Sequence, residues 1–246
     1  MQPEKKQLEI LIMRYFRESY FDFPKGQVVP SESPDFLLTL KSKNLLGIEL
    51  TRLNPGNALE LSEDDLQEIN LQEDLIQTML YMFQASSERK LFVKFLFSNK
   101  KKITPEKKLM VSVHTVNAIR KSIAHKKEDS FYKVSILASQ LPEGIKEILI
   151  VHHPKLETSI WERSNNLGIS NDVVDDIVHS IHKKDEKLRL YQKQHLNFYW
   201  LLITTDRLRV VRNFNLPNKI MNYKFESHFQ HVFLFDLIKS DIFQLV

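Results

Sequence analysis

Cysteine is absent from the 246 residues of this chain. Disulfides, thiolate metal sites and a cysteine nucleophile are therefore excluded together, and the absence fits a reducing compartment. Glycine is almost as scarce, with five residues at positions 26, 47, 56, 144 and 168. No two lie close enough to build a phosphate-cradling loop, so Walker-type and dinucleotide-binding fingerprints are excluded. The GxSxG nucleophile elbow is missing as well. No apolar run approaches the ~18 residues of a membrane span. The opening "MQPEKKQLEI" lacks the apolar region of a signal peptide. The expectation is a soluble cytoplasmic protein with no membrane partner.

What the chain does have is enough apolar material for a sizeable core. Hydrophobic residues make up 42% and aromatics 10%, which argues against bulk disorder. The net charge of +4 permits a polyanionic partner without demanding one.

Apolar periodicity lays out the elements. Leu8, Leu11, Ile12, Tyr15 and Phe16 mark one side of a helix over residues 4–19. Two strands follow, Asp35–Leu40 and Leu45–Thr51, joined by the polar link "KSKN" as a hairpin. "NPGN" at 54–57 breaks the chain, and Ser62 with its acidic followers starts a helix over about 62–85. Leu66, Ile69, Leu75, Met79 and Met82 repeat along it. Further strands are read at 90–98, 146–153, 197–205 and 231–236, with helices at 104–124 and 172–194, the last capped by Asn171. Helices alternating with strands predict an α/β fold, a mixed sheet flanked by helices, in a single domain over 1–246.

Two acidic residues stand in the hairpin where apolar ones are expected. In "SESPDFLLTLKSKNLLGIELTR", Asp35 opens the first strand and Glu49 lies inside the second. Strand alternation puts Leu46, Ile48 and Leu50 on one face and Gly47, Glu49 and Thr51 on the other. A turn centred near Ser42 sets Asp35 opposite Glu49 on a shared face, and Gly47 and Thr51 leave space there. Opposed carboxylates repel unless a cation lies between them. A hard divalent ion, which takes oxygen ligands and keeps waters beside one or two carboxylates, suits such a pair.

Pro34-Asp35, an intervening strand and Glu49-Leu50-Thr51 resemble the PD-(D/E)xK, or restriction-endonuclease-like, nuclease superfamily. The resemblance implies an αβββαβ core over about 4–98, with a C-terminal extension over about 104–246. It implies Mg²⁺ or Mn²⁺ held by Asp35, Glu49 and the Leu50 carbonyl, with a helix glutamate, Glu9 or Glu18, as a further acid; Glu32, two positions before the Pro-Asp pair, is a further candidate by its place in the sequence. Hydrolysis of DNA phosphodiester bonds is the implied activity, and DNA the implied partner. The chain departs from the motif at Thr51, where the family carries lysine, and strand alternation turns Arg52 to the opposite face. A long-helix stripe of Ile177, Ile181, Lys184, Leu188 and Tyr191 offers Lys184 as the replacement, with Lys187 as the second candidate. Without a replacement, the alternative is a catalytically degenerate nuclease-fold module that binds nucleic acid or a protein. Oligomeric state stays open at this stage, a homodimer included.

Other features have more ordinary readings. His152 and His153 are adjacent on a strand and point apart, so they do not share a metal. His179 and His182 fall on one side of a helix with no third ligand nearby. "NKKKITPEKK" over 99–108 holds five lysines, either a phosphate-contacting patch or a solvated loop. The aromatics of "NFYWLLI" offer base stacking if exposed and core packing if buried.

Overall fold

The computed structural model describes residues 3–53, 62–98, 100–164, 173–191, 196–206 and 216–246. The predicted break at 54–57, the Asn171 cap and the side chain of Tyr191 lie outside the described residues. The first elements are α1 (Pro3–Ser19), β1 (Gly26–Pro30), β2 (Phe36–Leu40), β3 (Leu45–Arg52), α2 (Glu63–Gln84), β4 (Phe92–Phe97) and α3 (Lys108–Ile123). After them come β5 (Tyr132–Leu137), β6 (Ile145–His152), β7 (Ile160–Arg163), α4 (Val173–Tyr191) and β8 (Phe198–Thr205). The chain ends with α5 (Leu216–Asn222), β9 (His231–Asp236) and β10 (Ile242–Gln244). The class is α/β, with mixed sheets flanked by helices. Among the described residues no helix is long and apolar enough to cross a membrane.

The chain divides into two compact units, where the sequence reading expects one domain. One unit combines Ile12–Leu59 with Gly168–Val246, and the other combines Met1–Leu11 with Glu60–Leu167. The difference has a structural cause. The order along the chain suggests that α2 and β4 continue the fold of the hairpin, but β4 belongs to a second sheet.

In the first of these units the strand order is β1-β2-β3-β8-β9-β10. The strands β1, β2 and β3 pair antiparallel, whereas β8 is parallel to both β3 and β9. The near-continuous apolar runs "FYWLLITT" and "HVFLFD" suit central parallel strands buried on both faces. Register sorts the side chains. Ile48, Trp200 and His231 align across one row, and Glu49, Leu201 and Val232 align across the next. Tyr15, Phe16, Tyr20 and Phe23 pack aromatic rings on the Trp200, Phe233 and Phe235 side. The Tyr15 hydroxyl donates to the Leu237 carbonyl at 2.8 Å, and burial pushes its phenol well above the ordinary tyrosine range. On the opposite face Val174, Ile177, Ile181 and Leu188 of α4 pack with Leu201, Ile203, Val232 and Leu234. Full burial of each such side chain contributes about 1.5–3 kcal/mol, so this apolar stripe holds α4 against the sheet.

The other unit has the strand order β5-β6-β4-β7. Leu75, Met79 and Phe83 of α2 join Val111, Val116 and Ile119 of α3 in one core with Val93, Phe95, Ile148 and Ile150. Ser62 caps α2 through a reciprocal capping box with Asp65, as its position before an acidic turn predicts.

Candidate acidic site on the hairpin

The β2–β3 ladder pairs Phe36 with Ile48, Leu37 with Gly47 and Leu38 with Leu46. One step further, the same register sets Asp35 opposite Glu49. The turn is centred where the sequence placed it. Asp35 is not left to repel its neighbour. Its Oδ2 accepts the Leu50 backbone N–H at 2.7 Å, which fixes the peptide that follows Glu49.

Glu49 lies in the row shared with Leu201 and Val232, beneath α4, and is 5% exposed. An unpaired carboxylate there would be strongly destabilising. Lys184 of α4 supplies the partner. Its Nζ donates to Glu49 Oε1 at 2.6 Å and lies 3.4 Å from the Leu50 carbonyl oxygen. Both side chains are shielded, with 13% and 7% of their surfaces exposed for Lys184 and Glu49 respectively. The Leu50 main chain is thus contacted on both sides of its Cα, by Asp35 at the N–H and by Lys184 at the C=O. Lys184 interrupts the apolar stripe for this reason. Lys187, one turn later, is exposed.

Gly47 has a different role from the one its size suggests. A Cβ at this position would come within 2.7 Å of both the Pro34 ring and Leu196. The space above Gly47 is filled by those side chains and is not room for a carboxylate. Gly47→Ala is expected to lower stability by about 1–3 kcal/mol, because the Pro34 ring cannot swing aside as a long side chain would. Urea denaturation checks this.

The remaining sequence candidates are not buried beside Glu49 as Lys184 is. Glu32 and Glu18 are exposed. Glu9 belongs to the other unit and is 3.8 Å from Lys5 on its own helix. His152 is buried with Nδ1 and Nε2 each 2.9 Å from a backbone carbonyl oxygen, those of Lys90 and Glu128, so it ties loops together. His153 Nδ1 accepts the Lys155 N–H, and His179 and His182 are exposed. Among the described residues no group of three or more His, Cys, Asp or Glu side chains is placed to hold a metal ion.

The lysine-rich stretch is largely neutralised by neighbouring acids. Lys101 pairs with Glu143, Lys102 with Glu68 and Lys108 with Asp74. Three of its five lysines are therefore engaged, which weakens its reading as a phosphate patch. Of the aromatics at 198–200, Trp200 is buried in the core and Phe198 is exposed.

No protein-family model, curated protein or solved structure matches this chain.

Proposed function

We propose that the unit carrying Asp35 and Glu49 is a divergent nuclease of the PD-(D/E)xK type, hydrolysing DNA phosphodiester bonds with a divalent cation. The observation that carries this reading is the convergence of Asp35 and Lys184 on the main chain of Leu50, at its N–H and its C=O, with Lys184 also paired to Glu49. The lysine missing at Thr51 has a counterpart on α4. Element order adds support once the intervening residues are set aside. Helix α1, strands β1 to β3, helix α4 and strand β8 follow an αβββαβ order, with residues 60–167 inserted between β3 and α4. The order differs from the one expected from sequence, in which only β2 and β3 stand out among the first strands and α2 and β4 form the second half.

The donors at the site are all oxygens, two carboxylates and one carbonyl. That set fits Mg²⁺ or Mn²⁺, which bind through few protein ligands and retain waters, and it does not suit zinc. Asp35, Glu49 and the Leu50 carbonyl would hold the ion. When bound, it would polarise a phosphate oxygen and lower the pKa of a water. The chain's own residues do the rest. Asp35 accepts the Leu50 N–H, which ties its carboxylate to the strand that carries Glu49 and the Leu50 carbonyl. Glu49 sets the negative charge at a buried position. Lys184 offers an ammonium to the charge that develops on the phosphate, in a place largely shielded from water.

The test is cleavage of plasmid DNA in Mg²⁺ or Mn²⁺. Wild-type protein is expected to nick or linearise the plasmid, and Asp35→Ala to reduce this by about 10³-fold or more, as loss of a charge-stabilising group does. Cleavage unaffected by Asp35→Ala would exclude this site. Glu49-dependent cation binding without any cleavage would select the degenerate binding module instead.

A further inference from the structure

We infer that Lys184 is a latch on the cation site, and that its ammonium and a divalent ion bind Glu49 and the Leu50 carbonyl in alternation. This rests on the nuclease reading above and adds a regulatory step to it.

The geometry leads there directly. The two oxygens nearest Lys184 Nζ, Glu49 Oε1 at 2.6 Å and the Leu50 oxygen at 3.4 Å, are two of the three donors assigned to the cation. An ammonium in that position fills the space between them. A divalent ion needs contacts of about 2.0–2.1 Å to oxygen, so it cannot share that space. Like charge makes joint occupancy worse, since the site is shielded and Coulomb repulsion is little screened there. The third donor does not move. Asp35 Oδ2 accepts the Leu50 N–H, a bond in which Lys184 takes no part, so departure of the lysine leaves this tie within the hairpin intact. The donors therefore stay assembled, and only the lysine has to leave.

The two states share one fold and differ in one side chain. With no divalent ion, Lys184 neutralises Glu49 and keeps α4 seated. With the ion present, Lys184 is released on its four-carbon stem, free to meet a phosphate. Lysine suits this exchange because its flexible stem carries a point charge that needs no fixed docking plane. The latch also accounts for a lysine supplied from a helix facing the sheet: it can withdraw from Glu49 without disturbing a strand.

The test compares Mn²⁺ binding, measured by electron paramagnetic resonance, in wild type, Lys184→Met and Glu49→Gln. Lys184→Met is expected to bind Mn²⁺ about tenfold more tightly than wild type, since a competing positive charge has been removed. Glu49→Gln is expected to lose the binding. A second measurement needs no variant. Acetylation of lysines in the wild-type protein, read by mass spectrometry, should increase at Lys184 when Mg²⁺ is added and stay constant at Lys187. Mn²⁺ affinity in Lys184→Met equal to or weaker than wild type overturns the latch, as does Lys184 acetylation that ignores saturating Mg²⁺. Absence of any Glu49-dependent Mn²⁺ binding in wild type and in Lys184→Met instead overturns the nuclease reading on which the latch depends.

Discussion

Lys184→Met is expected to reduce Mg²⁺-dependent DNA cleavage by about 10²–10³-fold, the usual cost of removing one preorganised charge-stabilising donor. Lys187→Met should leave the rate within about twofold, a change too small to count as loss of such a group. The two lysines are one helical turn apart on α4, and sequence periodicity alone ranks them closely. Their environments differ. Lys184 reaches Glu49 and the Leu50 carbonyl, whereas Lys187 is exposed to solvent. Initial rates on supercoiled plasmid, taken at saturating Mg²⁺ and with circular dichroism confirming folded protein, separate them. Equal losses in the two variants would mean that neither acts through the hairpin carboxylates. A loss confined to Lys187→Met would move the functional lysine outside the site described above. Loss of cleavage in Lys184→Met alongside tighter Mn²⁺ binding would be the joint signature of a lysine that both stabilises the reacting phosphate and competes with the ion.

The second large effect is on stability. In the presence of chelator, Lys184→Met is expected to destabilise the protein by about 3 kcal/mol or more, because Glu49 is then left buried and unpaired. Glu49→Met should cost a similar amount by stranding the ammonium, tempered by the ability of lysine to extend toward water. The double variant Glu49→Met/Lys184→Met removes both charges and keeps similar volume. It is expected to be within about 1 kcal/mol of wild type, or above it, since buried ion pairs often contribute little net stability. Urea denaturation of all four proteins gives the coupling energy, expected at about 2 kcal/mol or more for a pair in direct contact. Additive losses would show that the 2.6 Å contact carries no energetic weight. The double variant should be stable and inactive. That combination distinguishes a pair retained for chemistry from one retained to hold the fold together.

Much of this site is legible in the sequence because it depends on short-range rules. Strand alternation has period two, so Asp35 and Glu49 share a face once the hairpin pivots at Ser42, and the β2–β3 register bears this out. Helical spacing singles out Lys184 as a charge among Ile177, Ile181 and Leu188, all of which are buried. The Ser62 cap follows from the same kind of local pattern. The short strands β1, β7 and β10 carry too few apolar positions for period two to stand out, whereas β5 does alternate, with Tyr132, Val134 and Ile136 separated by Lys133 and Ser135, and was open to the same rule.

The remaining features are decided by segments far apart in the chain. Nothing in the hairpin says that β3 will pair with β8 in place of β4, since parallel neighbours are joined by long crossovers that leave no turn signature. That pairing is what brings α4 over Glu49 and selects Lys184. The filling of the space above Gly47 by Leu196 likewise exists only when the distant piece is in place. Local periodicity therefore determined which faces carry charge. Tertiary pairing decided which charge each one meets, because a buried carboxylate is stable only beside a partner delivered by the packing of another element.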